Sequence, residues 1–213
     1  MKMQLILNLQ PFQREKLFSH VTNSREMMAV YLSALEYIQY WHGNSRVSRR
    51  PFMLVDLDET HRVFLVDKDK IISFAFLLNI KLNGYDLNDI SNYVRGIFLQ
   101  NHKISAREIS EAKQILSNCA EPNSLYCYNV LDEDSSLSEE SIYLFEHLLF
   151  VEWGYIRFDH DPSHAITGIH PVEHFDINYS SPCSYKIGLN RQVKVEDVIN
   201  MLNKRTACVN INM

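Results

Sequence analysis

Trp153 to Leu189 reads WGYIRFDHDPSHAITGIHPVEHFDINYSSPCSYKIGL, and its alternation decides the fold class. Successive side chains on a strand point to opposite faces of the sheet. From Tyr155 to Asp159, Ile156 and Phe158 take one face, while Tyr155, Arg157 and Asp159 take the other. From His174 to Tyr179, Phe175, Ile177 and Tyr179 share a face, and His174, Asp176 and Asn178 share the opposite one. The connection between the two runs holds Pro162, Gly168 and Pro171, residues that turn the chain and return it antiparallel. Ser184 to Leu189 continues the meander, with Lys186 as a basic addition. Each strand thus has an apolar face for a core and a face able to do chemistry.

Outward from this meander the chain mixes strands and helices without a repeating βαβ order. The expected class is therefore α+β, a mostly antiparallel sheet with helices packed on one face and an N-terminal helical segment, all in one domain over 1–213. Within it, 1–45 is the helical segment, and 151–205 holds the strand meander and a C-terminal helix. Met27, Val30, Tyr31, Ala34, Leu35, Ile38 and Trp41 recur at helical spacing after Asn23. Phe52 to Leu57 and His61 to Val66 read as two strands joined at Asp58, Glu59 and Thr60, and Ile71 to Leu82 as a buried third strand or, by its length, a helix. Ile90, Tyr93, Val94, Ile97 and Phe98 fit a helix opened by Asp86 or Asn88. Ser105 and Glu108 form a capping box for the next helix. Leu125 to Val130 reads as a strand, Leu131 to Ser138 as a polar loop, and Ser138 introduces a helix through Val151.

Composition narrows the classes. Apolar residues make up 46% and charged residues 22%, so the chain is globular in type and can bury roughly 70% of its unfolded surface. Twenty-six acidic against 21 basic residues give a net charge of −5, which disfavours a general nucleic-acid coat. Arg46, Arg49 and Arg50 could form a local phosphate-contacting loop or a solvated connector. The cysteines at 119, 127, 183 and 208 form no C-x-x-C pair and read as reduced thiols of a cytoplasmic protein. No window reads as a membrane span or a signal segment.

If the two strands pair, Arg157 and Asp159 lie beside His174 and Asp176, with Asp161, His164 and His170 above them. Two chemistries suit such a face. Asp159 or Asp161, His170, His174 and Asp176 offer oxygen and nitrogen ligands to a divalent metal ion that would activate water. Without a metal, a histidine supplies acid–base catalysis while Arg157 stabilises a phosphate. The catalytic candidates are accordingly Arg157, Asp159, His170, His174 and Asp176. A plainer architecture also fits: Asp and Pro forming turns, Arg157 in a salt bridge with Asp159, and His174 donating to a carbonyl. The acidic group Asp56, Asp58 and Glu59 is a second metal candidate, or simply a solvated hairpin tip.

Arg157-Phe158-Asp159, then Asp161-Pro162, then His170-Pro171-Val172-Glu173-His174, resembles the C-terminal third of an uncharacterised bacterial protein family. The resemblance covers roughly the last 60 residues, including the strand at Tyr185 to Leu189 and the helix at Val195 to Leu202. The family often carries a further histidine where this chain has Asp176, so the resemblance implies no histidine pair at that position. It brings no established activity. The similar Arg/Asp/His pattern of small ribonuclease toxins implies nuclease chemistry by analogy.

Two functions follow as expectations. One is a phosphodiesterase or nuclease of a bacterial toxin or phage-defence type, acting on nucleic acid, RNA before DNA. The other is a non-catalytic subunit, immunity- or antitoxin-like or a scaffold, with a protein partner and no membrane.

Overall fold

The computed structural model describes residues 3–44, 50–84, 86–119, 136–180 and 182–207. Its elements run β1 (Gln4–Asn8), α1 (Pro11–Leu17), α2 (Ser24–Ile38), β2 (Phe52–Asp56), β3 (Arg62–Val66), β4 (Lys70–Ala75) and β5 (Asn79–Leu82). Then follow β6 (Val94–Leu99), β7 (His102–Ile104), α3 (Ala106–Asn118), α4 (Glu139–Leu149), β8 (Ile156–His160), β9 (Glu173–Ile177), β10 (Tyr185–Gly188) and α5 (Val195–Leu202). The class is α+β, as expected. Seven strands form an antiparallel sheet in the order β1-β2-β3-β4-β8-β9-β10, and β5-β6-β7 form a separate antiparallel sheet.

Both faces of the large sheet are apolar over β1 to β4. Met53, Val55, Val63, Leu65, Ile72 and Phe74 face the core shared with α2, α3 and α4. Phe52, Leu54, Phe64, Val66, Ile71, Phe158 and Phe175 face the other way, against Val195, Val198 and Ile199 of α5. The C-terminal helix thus lies on the face opposite the other helices, a departure from the one-sided arrangement expected. Two-sided hydrophobicity in β2 and β3, whose runs FMLVD and RVFLV do not alternate cleanly, is the sequence trace of that second layer.

Local signals explain most element ends. The Asn23 side chain accepts from the Glu26 amide at 3.0 Å and starts α2, whose Leu32, Leu35 and Ile38 are fully buried. Such burial contributes ~1.5–3 kcal/mol per side chain. Ser105 and Glu108 form the expected capping box of α3. The Ser138 hydroxyl accepts from the Ser141 amide at 3.3 Å at the start of α4. The Glu111 carboxylate of α3 also takes the Ser138 amide at 3.0 Å, tying the two helices together.

Several expectations are corrected. The N-terminal segment opens with β1, an edge strand paired to β2, before its helices. The helix read through Ile90 to Phe98 is instead a turn, a bridge from Tyr93 to His42, and strand β6 from Val94. Gly96 disfavours a helix interior, and a Cβ there would meet Phe98 Cε2 at 2.8 Å. The single element read over Ile71 to Leu82 is divided into β4 and β5, which belong to different sheets. Cys119 is disulfide-bonded, so the expectation of reduced thiols fails there. The strand read at 125–130, the polar loop at 131–135, and Arg46 and Arg49 lie outside the described residues. Among the described residues, no helix is long and apolar enough to cross a membrane.

Candidate active site

The register of the sheet places charged residues in two adjacent rows. Lys70 pairs with Asp159 and Asp159 with His174, which faces Gly188. In the next row Arg157 pairs with Asp176 and Asp176 with Lys186. Strand alternation puts all these side chains on the face that carries the larger core, past the area where Ile72 and Phe74 meet the helices. The apolar residues between them, Ile156, Phe158 and Phe175, fix the register by packing on the α5 side.

Arg157 is the hub. Its Nε donates to Asp159 Oδ2 at 2.6 Å, and its terminal nitrogen donates to Asp176 Oδ2. Burial pulls the guanidinium pKa down, but the Asp159 carboxylate, followed by Tyr155 and Asp176, holds it above its ordinary value. Lys186 donates to Asp176 Oδ1 at 2.6 Å from the edge strand. Lys70 Nζ lies 3.6 Å from Asp159 Oδ1, an oxygen that is buried and has no hydrogen-bond partner.

His174 is the most deeply buried member, 1% exposed. Its Nδ1 is 2.9 Å from the Pro171 carbonyl oxygen, which can only accept, so Nδ1 carries a proton. In the neutral ring Nε2 then presents its lone pair to the centre of the cluster. There it faces Lys186 Nζ at 3.2 Å, His170 Nε2 at 3.4 Å, and Oδ2 of Asp159 and of Asp176 at 3.8 Å each. The local chain is built for this. A Cβ on Gly188 would lie 2.8 Å from Pro171 Cγ, so only glycine opposite His174 lets the Pro171 turn sit against the sheet.

The candidates therefore divide. Arg157, Asp159, His174 and Asp176 converge as expected, and His170 joins them through its ring contact with His174, 4.6 Å between centroids. Asp161 does not join. Its carboxylate turns back to the Ser163 hydroxyl and to His164, and those bonds hold its pKa well below the usual carboxylate range. His164 stays with it, exposed. Asn178 leaves the polar row as well, because at φ +63° its side chain accepts from the amides of Tyr179 and Ser180.

Both plain contacts foreseen for the cluster are also present: Arg157 is ion-paired with Asp159, and His174 donates to a carbonyl. Ligand atoms of Asp159, His174 and Asp176 lie within 4.8 Å of one another, so this trio could hold a metal ion. His170 falls outside that trio. Asp56, Asp58 and Glu59 form no such group. Asp56 is fully buried and accepts from the Thr60 hydroxyl at 2.7 Å and the Thr60 amide at 3.0 Å, which closes the β2–β3 turn.

Sequence reasoning did not find Lys70, Pro171 or Gly188. Lys70 stands in the polar turn DKDK, and only the β4–β8 pairing, across more than eighty residues, shows that it belongs to the site. The Pro171 role is a backbone oxygen, which residue type does not signal. No family model, curated protein or solved structure matches the chain.

Proposed function

We propose that the protein is a phosphodiesterase working by imidazole acid–base chemistry on the β8–β9–β10 end of the sheet. The observation that carries this reading is the oriented His174 ring, its Nδ1 fixed by a carbonyl and its Nε2 turned toward His170 and Lys186. His174 is too buried to touch substrate, so it acts as the positioning residue for half-buried His170. A His170 Nε2–H donating to His174 Nε2 leaves His170 Nδ1 free to take the proton of an attacking hydroxyl. Lys70, Arg157 and Lys186 surround the position where negative charge develops on a phosphoryl group.

The charge balance favours a metal-free route. Asp159 and Asp176 are matched by Arg157 and Lys186, so the cluster needs no further cation. A metal-assisted variant rests on the Asp159, His174 and Asp176 trio, and an entering ion would have to displace Lys186 from Asp176. A partner-binding role rests on a different observation: Ile166, Ile169 and Tyr185 are exposed beside the rows.

The test uses the full chain with RNA and DNA substrates, with and without chelator. Cleavage is expected to survive chelation and to fall by at least ~100-fold in His170→Ala with the unfolding midpoint unchanged. Loss of activity on chelation, restored by a divalent ion, selects the metal variant. A well-folded wild-type protein that cleaves no phosphodiester refutes the reading and leaves the partner role.

A further inference from the structure

The charge on the three-stranded sheet is all of one sign. Its strands, NIKL, VRGIFL and HKI, carry two lysines and an arginine and no acidic residue, in a chain whose net charge is −5. Ile80, Leu82, Val94, Ile97, Leu99 and Ile104 pack on the core. Strand alternation leaves Lys81, Gly96, Phe98 and Lys103 on the other face, toward solvent. Arg95 joins them through a β-bulge. Lys81 pairs with Gly96 but Leu82 with Val94, so Arg95 is the extra residue, and it is exposed. Regular alternation would give it the face of Ile97; a bulge re-aims such a side chain.

These cations are not neutralised. Lys70, Arg157 and Lys186 of the large sheet are each ion-paired with an aspartate, whereas Lys81, Arg95 and Lys103 have no ion pair among the described residues. Half-buried Phe98 lies among them. It pairs across the sheet with Lys103, and Lys81 Nζ stands 4.3 Å from the centroid of its ring. A Cβ at residue 96 would meet Phe98 Cε2 at 2.8 Å and Lys103 Cε at 3.0 Å, so glycine there lets the ring and the lysine stem close over the strand. An aromatic ring among unpaired cations suits a ligand that carries both phosphates and unstacked bases. An acidic peptide would answer the charges and leave the ring unused. A membrane surface would call for several apolar side chains on this face, and Phe98 is alone. A duplex keeps its base faces stacked inside, out of reach of a strand surface.

We infer that the solvent face of the β5–β6–β7 sheet binds single-stranded nucleic acid, with a base stacked on Phe98 and the flanking phosphates on Lys81, Arg95 and Lys103. A stacked base outweighs an exposed ammonium over the same ring, so Lys81 leaves the ring for a phosphate. The test is fluorescence anisotropy of a labelled single-stranded oligothymidylate of about 12 nucleotides with the full chain, in chelator, from about 50 to about 200 mM salt. Saturable binding is expected, weakening as salt rises. Lys81→Ala, Arg95→Ala and Lys103→Ala should each weaken it and flatten the slope of log K against log salt by about 0.7. All three side chains are exposed, so their loss leaves the fold intact. Phe98→Leu should weaken binding about tenfold with the slope unchanged, because a stacked base releases no counterion. Should Phe98→Leu not fold, Phe98→Trp keeps the stack, and its added indole fluorescence should be quenched on binding. No binding at about 50 mM salt, or unchanged binding when all three cations are replaced together, overturns the inference. Heparin bound as tightly as the oligonucleotide, with Phe98→Leu without effect or Phe98→Trp unquenched, overturns the nucleic-acid assignment in favour of an acidic partner. Binding as described with no cleavage of any phosphodiester upholds this face and refutes the phosphodiesterase alone.

Discussion

Replacing Arg157 with leucine removes the group that both Asp159 and Asp176 lean on. The three side chains are 18%, 10% and 13% exposed, so little water is at hand to take over. Stranding a buried charge by deleting its partner costs about 3–5 kcal/mol. The two stranded carboxylates do not double that figure, because Lys186 still holds Asp176 Oδ1 at 2.6 Å and Lys70 remains 3.6 Å from Asp159. Against a total stability of about 5–15 kcal/mol, the loss is large. The matching control is Arg191→Leu, which breaks a pair with Asp197 whose arginine is 70% exposed and should cost about 0–1 kcal/mol. Urea unfolding followed by circular dichroism reads both. Adding Asp159→Asn and Asp176→Asn to the Arg157→Leu chain should recover most of the loss, because neutral amides tolerate the vacated site better than two carboxylates. An Arg157→Leu shift no larger than that of Arg191→Leu, or a triple variant no more stable than the single one, would refute the reasoning.

Gly188→Ala pushes a methyl group into Pro171, at an expected cost of about 1–3 kcal/mol; the His174 ring signals in NMR should move, and turnover should fall further than stability does. Glu111 has a pKa lowered to about 2, first by the Ser138 hydroxyl and then by Arg107, so its stabilising contribution is full above pH 4.5 and fades as pH falls towards 2. Glu111→Gln should flatten that acid limb of a stability–pH curve, and an unchanged limb would show that the α3–α4 tie is not felt. Asp56→Ala leaves the Thr60 amide and hydroxyl without their acceptor and should lower stability by about 1–3 kcal/mol in thermal or urea melts.

The meander was legible because Ile156, Phe158 and Phe175 alternate with Arg157, Asp159, His174 and Asp176, and a period of two has one consistent register. Asp161 misled because it continues the spacing of Asp159 by two. The strand ends at His160, and beyond it a short carboxylate gains more from the Ser163 hydroxyl and His164 than from reaching the sheet. The Ile90 to Phe98 run satisfied helical spacing by coincidence, and only Gly96 hinted otherwise. The placement of α5 could not be read from its own sequence, because an amphipathic helix declares which side is apolar and not which face of a sheet it will cover.

The pairing of β4 with β8 has a consequence for how the chain is made. Lys70 to Ala75 leaves the ribosome some eighty residues before its neighbour Ile156 to His160, and until then β4 is the open border of a four-stranded sheet. Its KIISFA run, rich in β-branched and aromatic residues, is the kind that recruits strands from other chains. A chain stopped after α4 would therefore keep much of its helical layer and still be expected to aggregate. The strands that bring Arg157 and His174 thus also serve as the cover for an adhesive edge.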